Sequence, residues 1–218
     1  MLYRTPDDLP PIIPVFPLTG ALLLPRVQLP LNIFESRYLE MIDDAMKGAR
    51  VIGMIQPDES KSGMMSNPAL YSMGCAGRIT QFSETGDGRY LILLSGIARF
   101  RIAEEMAASK SYRQCRVDFS LFAEDFVPNR GEEAVDRDGL LRTLSAYLSA
   151  NKIEADWKEI CEAPTEALVN GLSMMAPYGA REKQALLEAS DLKHRADILV
   201  AVTEIAMAKG GEYDLPMQ

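Results

Sequence analysis

The chain has 218 residues, 23 basic and 31 acidic side chains and a formal net charge of −8. With 47% hydrophobic and 25% charged residues it has the composition of a folded globular protein, and no apolar run approaches the roughly 18 residues of a membrane-spanning helix. Residues 1–120 hold 13 acids and 13 bases whereas residues 121–218 hold 18 and 10, so the acidic second half repels phosphate backbones and nucleic-acid binding is disfavoured. The start, Met1 to Asp8, is acidic and proline-containing where a signal peptide needs an apolar stretch, which points to a cytoplasmic protein. Cys75, Cys115 and Cys161 form no C-x-x-C pair and read as small buried hydrophobes in a reducing compartment.

The first part reads as strands. Ile12–Phe16 is a short apolar run whose Pro14 suits an edge or a strand end. A Leu-Pro-rich connector, Ala21–Val27, follows. From Ser36 to Lys47 the period becomes helical, with Tyr38, Met41, Ile42 and Ala45 on one face and Gly48 as the stop. Arg50–Ile55 reads as a buried strand, and the polar stretch 57–67, with Met64 and Met65, as a loop. Gly77–Glu84 and Arg89–Ser95 flank Thr85-Gly86-Asp87-Gly88, a good hairpin signal. Ala98, Phe100 and Ile102 alternate with Arg99 and Arg101, and Cys115, Val117 and Phe119 alternate with Gln114, Arg116 and Asp118. Both patterns describe strands with one face in a core and the other in water. Several short strands of this kind suggest a small closed sheet.

Glu124–Asp136 holds Pro128, Asn129, Gly131 and many charges, and marks a boundary. The expected parts are a β-rich one over 10–122 and a helical one over 134–210. Phe119, Leu121, Phe122 and Phe126 cross the boundary as an apolar series and are expected to pack the two parts together. In the helical part Leu140, Leu141, Leu144, Tyr147 and Leu148 share a face. Pro164 fits the first turn of a helix carrying Leu168, Val169, Leu172 and Met175. Glu182–Ala189 is a short helix. Asp191 is the expected N-cap of a last helix with Leu192, Leu199, Val202 and Ile205, closed by Gly210-Gly211. Trp157 reads as an anchor between helices, and Met174 and Met175 as core filling.

Three motifs stand in order. Pro14-Val15-Phe16-Pro17-Leu18 leads, through the connector, to Pro30-Leu31-Asn32-Ile33-Phe34-Glu35-Ser36-Arg37-Tyr38. Then come Gly74-Cys75-Ala76-Gly77-Arg78-Ile79 and Gly96-Ile97-Ala98-Arg99-Phe100-Arg101-Ile102. Together they resemble the Lon substrate-binding domain, the amino-terminal domain of the Lon ATP-dependent proteases, which also occurs alone in many bacteria. Ala163–Asn170 and Glu182–Ala189 resemble the helical part of stand-alone members. The resemblance implies an α+β fold, a PUA-like β pseudobarrel followed by a C-terminal helical bundle. It also implies a recognition module that ends where the protease engine would begin.

The search for chemistry is consistent with that reading. No G-x-x-x-x-G-K-[ST] loop is present to cradle phosphates. Leu93 occupies the first glycine position of a G-x-S-x-G elbow around Ser95. His194, the only histidine, reads as a surface helix residue. No catalytic residue, cofactor or metal is expected. The expected function is non-enzymatic binding of unfolded or tagged protein segments at a groove or sheet edge, alongside a protease or chaperone, with self-association open. The alternatives are an RNA-binding PUA-like protein and an enzyme with an unrecognised site. Phe34, Glu35, Arg37, Tyr38 and Arg78 are the candidate partner-binding or corner residues. Phe34 is expected to staple onto Met41 or Ile42, and Arg37 to bond internally.

Overall fold

The structure, a computed structural model, describes residues 3–61 and 68–208 and divides into two compact units, Met1–Pro128 and Asn129–Gln218. The readings of Met64, Met65 and Gly210-Gly211 lie outside the described residues.

The first unit contains β1 (Ile12–Pro17), β2 (Gln28–Ile33), α1 (Ser36–Lys47), β3 (Val51–Ile55), β4 (Met73–Glu84), β5 (Tyr90–Glu105) and β6 (Arg113–Asp118). Their order across the sheet is β2-β5-β4-β3-β1-β6, and β6 pairs back onto β5. Five strands therefore close into a ring, with β2 attached outside it. The length of β5 makes this possible. Its first half, from Tyr90 to Ser95, pairs with β2, and its second, from Arg101 to Glu105, pairs with β6. The β1–β3 pair is parallel and the other five pairs are antiparallel.

Phe100 fills the centre of the ring and is fully buried among Ile13, Val15, Val51, Ala98, Val117 and Phe119. The sheet makes room for it with glycine. A Cβ on Gly74 would lie 2.5 Å from both Phe100 Cζ and the Met54 carbonyl oxygen, closer than packed atoms tolerate.

Two expectations fail here for the same reason. β2 is a strand although Pro30 sits inside it, because β2 pairs on one side only and an edge tolerates a missing donor. β5 runs unbroken through Gly96. That glycine is no turn: the connector crosses the strand there, a Cβ would meet the Leu24 carbonyl oxygen at 2.0 Å, and Gly96 exchanges 2.9 Å hydrogen bonds with Arg26 and Val27.

A third correction concerns Arg99. Alternation puts it in water with Arg101, yet Arg99 is only 5% exposed and Arg101 remains exposed. A 3-10 helix over Ser120–Phe126 covers that end of the strand. Its Asp125 accepts from the Arg99 backbone N–H (2.9 Å), Nε (2.9 Å) and Nη2 (2.8 Å), and the guanidinium lies 5.0 Å from the centre of the Phe122 ring. Arg26 Nη1 donates to the Asp125 carbonyl. Phe119 and Phe122 are thus buried within the first unit, Phe126 packs on its core, and Leu121 is 63% exposed. Of the cysteines, Cys75 and Cys115 are buried as expected and Cys161 is exposed.

The second unit contains α2 (Arg137–Ala150), α3 (Trp157–Glu162), α4 (Thr165–Met175), α5 (Ala180–Glu188) and α6 (Leu192–Ala208). Apolar periodicity builds α2, α4 and α6, and α6 packs against α2, α4 and α5. Aspartates start three of the helices. Asp136 accepts from Gly139 N, Asp156 from Lys158 and Glu159 N, and Asp191 from His194 N. Pro164 stands at the N-cap of α4, one place before the expected first turn. The sequence reading missed α3, whose Trp157 is exposed rather than an anchor. Arg137 closes α3 by donating to the Cys161 (2.9 Å) and Ala163 (2.8 Å) carbonyls. Buried Arg195 ties α6 to α5 and α4 through the Leu186 carbonyl and Asn170 Oδ1, both at 2.9 Å. Among the described residues no helix is long and apolar enough to cross a membrane.

Candidate recognition surfaces

Strand β2 ends at Ile33 and α1 begins at Ser36, so Phe34 and Glu35 form the corner between them. Tyr38 turns inward. It is buried and its ring sits 4.3 Å from that of Phe16, and burial raises its hydroxyl pKa. Phe34 does the opposite and is 64% exposed, while Met41 and Ile42 are fully buried without it. No staple forms, because the chain enters the helix with Phe34 on the outer face. Arg37 Nε and Nη2 reach Glu35 Oε2 at 2.9 and 2.8 Å on the surface, and the guanidinium stacks 4.5 Å from the Tyr38 ring. This is a solvent-facing ion pair rather than a buried bond.

Arg78 is elsewhere. It is half-buried in β4, opposite Val51 and Ser95, and Ser95 in turn lies opposite Gln28. Gln28 and Ile33 are the two ends of β2, roughly 16 Å apart at strand rise. The structure therefore gathers Phe34, Glu35, Arg37 and Tyr38 and leaves Arg78 apart. At the far end of α1, Asp44 accepts from Lys110 Nζ and Tyr112 OH, each at 2.9 Å. These bonds, from Lys110 first and then Tyr112, lower the Asp44 pKa. Burial, and then the Asp44 bond, push the Tyr112 hydroxyl up to about 12.

No acid–base constellation appears at the residues weighed for chemistry. Ser95 Oγ lies 3.0 Å from Thr80 Oγ1 within the sheet. His194 is exposed and its Nδ1 meets Ser190 Oγ at 3.1 Å. Among the described residues no group of three His, Cys, Asp or Glu side chains could hold a metal ion.

The second unit carries a surface that sequence reading did not identify. α2, α4 and α6 diverge around an open cleft of about 350 Å³. Leu140, Leu144, Leu148, Leu172 and Leu199 are among its walls, and Ile153, Met175 and Pro177 also line it. No charged side chain lines it. The hydroxyl of Tyr178 is satisfied within the fold by Thr203 at 2.6 Å. Met175 is 77% exposed, so it does not fill core as its helical spacing suggested. The signal was present in the sequence, since Leu140, Leu144, Leu148 and Leu172 were all recognised as apolar helix faces. What the sequence could not show is that these faces stop short of closing on one another.

The sequence profile of the ATP-dependent protease La (LON) substrate-binding domain matches residues 12–203. Lon protease 2 of Myxococcus xanthus is 26% identical over 200 residues, covering 89% of this chain and 24% of that protein. Lon protease of Cytophaga hutchinsonii is 26% identical over 210 residues, covering 91% of this chain and 24% of that protein. The chain thus spans about a quarter of the length of these relatives. Among solved structures, the N-terminal domain of Mycobacterium avium complex Lon protease has a TM-score of 0.65 at 18% identity, covering 88% of this chain and 98% of that one. A Lon N-terminal domain protein from Xanthomonas campestris has a TM-score of 0.61 at 22% identity, covering 87% and 97%. The two structures share an α+β fold of mixed sheet and several helices with this chain, and the match over residues 12–203 makes the chain a member of the Lon substrate-binding domain family.

Proposed function

We propose that the chain is a non-catalytic recognition module that binds unfolded or tagged segments of other proteins. The observation that carries this is the uncharged apolar cleft of the helical unit. Its size suits one or two large apolar side chains, and such side chains are exposed in non-native polypeptide and hidden in native protein. Phe34, with Glu35, Arg37 and Tyr38 beside it, offers a second, aromatic contact point with a charged border. Arg78 is a separate candidate. Pro30 removes one donor from β2, which makes groove filling a better mode than strand addition at that edge. The closed ring of five strands supports a PUA-like pseudobarrel over residues 10–122, and the α2–α6 packing supports a helical bundle over 134–210. The protein acts in the cytoplasm, alongside a protease or chaperone that processes the bound client, and turns over neither ATP nor peptide itself.

The test uses a permanently unfolded probe, reduced and carboxymethylated α-lactalbumin, against its native form. Fluorescence anisotropy should show binding of the unfolded form only. Met175→Glu, which places a charge at the cleft without disturbing buried structure, should weaken it by about tenfold or more. Equal binding of both forms, or of neither, would refute the proposal. So would ATP or casein turnover that tracks with variants of this chain.

A further inference from the structure

The two units meet at Pro128–Asn129, and a buried carboxylate holds the chain on each side of that junction. Asp125, 7% exposed, grips Arg99 through both of its oxygens, while its own carbonyl accepts from Arg26. The helical turn it belongs to ends two residues later, where Val127 N donates to the Glu124 carbonyl at 3.0 Å. On the other side Asn129 adopts a left-handed conformation, with φ 60°, and its N–H donates to Glu166 Oε2 at 2.9 Å. Glu166 is buried, and its N–H donates to Glu132 Oε1 at 2.7 Å. Each clamp lies wholly within its own unit.

We infer that the junction is a stiff two-residue joint, Val127-Pro128, whose length is set by the carboxylates of Asp125 and Glu166. The backbone N–H on the near side of Val127 is bonded, and so is that of Asn129. Between them the torsions are few. The Pro128 ring fixes its own φ and restricts Val127 to extended geometry, which Val127 adopts at φ −102° and ψ 112°. The one freely turning backbone bond is then ψ of Pro128. Charged clamps suit this purpose. A carboxylate that accepts several N–H bonds in a buried site holds backbone more firmly than a neutral acceptor. A Gly-Ser linker of the same span would leave both torsions of every residue free.

Native-state amide exchange of the full chain, read by NMR, tests the joint. Asp125→Ala should speed exchange at Val127 and Arg99 by about tenfold or more and leave Asn129 unchanged. Glu166→Ala should speed Asn129 and Glu132 and leave Val127 unchanged. Pro128→Gly should leave all four amides protected while raising the rate of tryptic cleavage after Arg130. Global destabilisation would speed all four amides together, and units fused into one body would couple the two clamps. Either result, or cleavage after Arg130 that Pro128→Gly does not raise, overturns the inference.

Discussion

Replacing Asp125 by alanine is the most informative perturbation of the β unit. Arg99 donates three hydrogen bonds to Asp125, one from its backbone and two from its side chain, and both residues are more than nine-tenths buried. Removal of Asp125 alone leaves a buried guanidinium with its countercharge gone and the Arg99 N–H without its acceptor. Breaking a buried pair on one side costs about 3–5 kcal/mol, a large fraction of a domain's total stability. Arg99→Met in the Asp125→Ala background removes the stranded charge. The remaining loss is then the unmet Arg99 N–H, about 1–3 kcal/mol, plus the stacking on Phe122, roughly 0.5–1 kcal/mol. The double variant should therefore be more stable than Asp125→Ala by about 1–2 kcal/mol. Urea denaturation followed by circular dichroism, with amide exchange along β5 to locate the loss, gives the full cycle. A cost below about 1 kcal/mol for Asp125→Ala, or a double variant weaker than both single ones, would mean that the pair is surface-like and that Arg99 is no part of the core.

Phe34→Ala should change stability by no more than about 0.5 kcal/mol, since the ring is mostly in solvent, while weakening client binding; a clear drop in melting temperature would restore the staple. Gly96→Ala should cost more than the usual 1–3 kcal/mol of overpacking, because the clash is with the Leu24 carbonyl rather than a yielding side chain, and a parental urea midpoint would contradict the close crossing. Iodoacetamide at pH 8 should alkylate exposed Cys161 first and Cys115 only on unfolding, since burial, aided by Glu105, raises the Cys115 thiol from 9.0 to about 11. By linkage the folded state holds that proton where the unfolded chain has lost it, so stability should fall between about pH 9 and 11 in a parental melt, and less steeply in Cys115→Ala.

The strand and helix content was largely legible because its signals are local. The alternation of Cys115, Val117 and Phe119 and the helical stripe of Tyr38, Met41, Ile42 and Ala45 each report one buried face. The misreadings involve partners distant in sequence. Pro30 and Gly96 are ordinary breaker signals, and only the sheet order shows that one lies on an edge and the other under a crossing chain. Arg99 alternates as a surface residue until Asp125, 26 positions later, arrives to neutralise it. Phe34 fails in the reverse direction: an aromatic beside an apolar helix suggests packing, yet the β2–α1 corner aims it outward. The cleft escaped notice because a groove is a property of the spacing between α2, α4 and α6, which apolar periodicity does not encode.

The residues that carry the family resemblance divide into two groups with different consequences. Phe16, Tyr38, Gly74, Arg99 and Phe100 are interior: they pair rings, leave room for Phe100 or latch the 3-10 helix onto β5. Their presence argues for the fold, and replacing them should unfold the unit before altering any choice of client. Phe34, Glu35 and Arg37 face solvent, and the Glu35–Arg37 pair is too exposed to contribute much more than about 1 kcal/mol to stability. Since nothing in the fold consumes the Phe34 ring, what that ring contributes must come from outside the chain. The same reasoning applies to Met175 in the helical unit, an unbranched thioether held open to solvent beside an apolar cleft, where flexible sulfur chains can fit side chains of differing shape. Client preference should therefore follow substitutions at Phe34 and Met175 rather than at the interior motif residues.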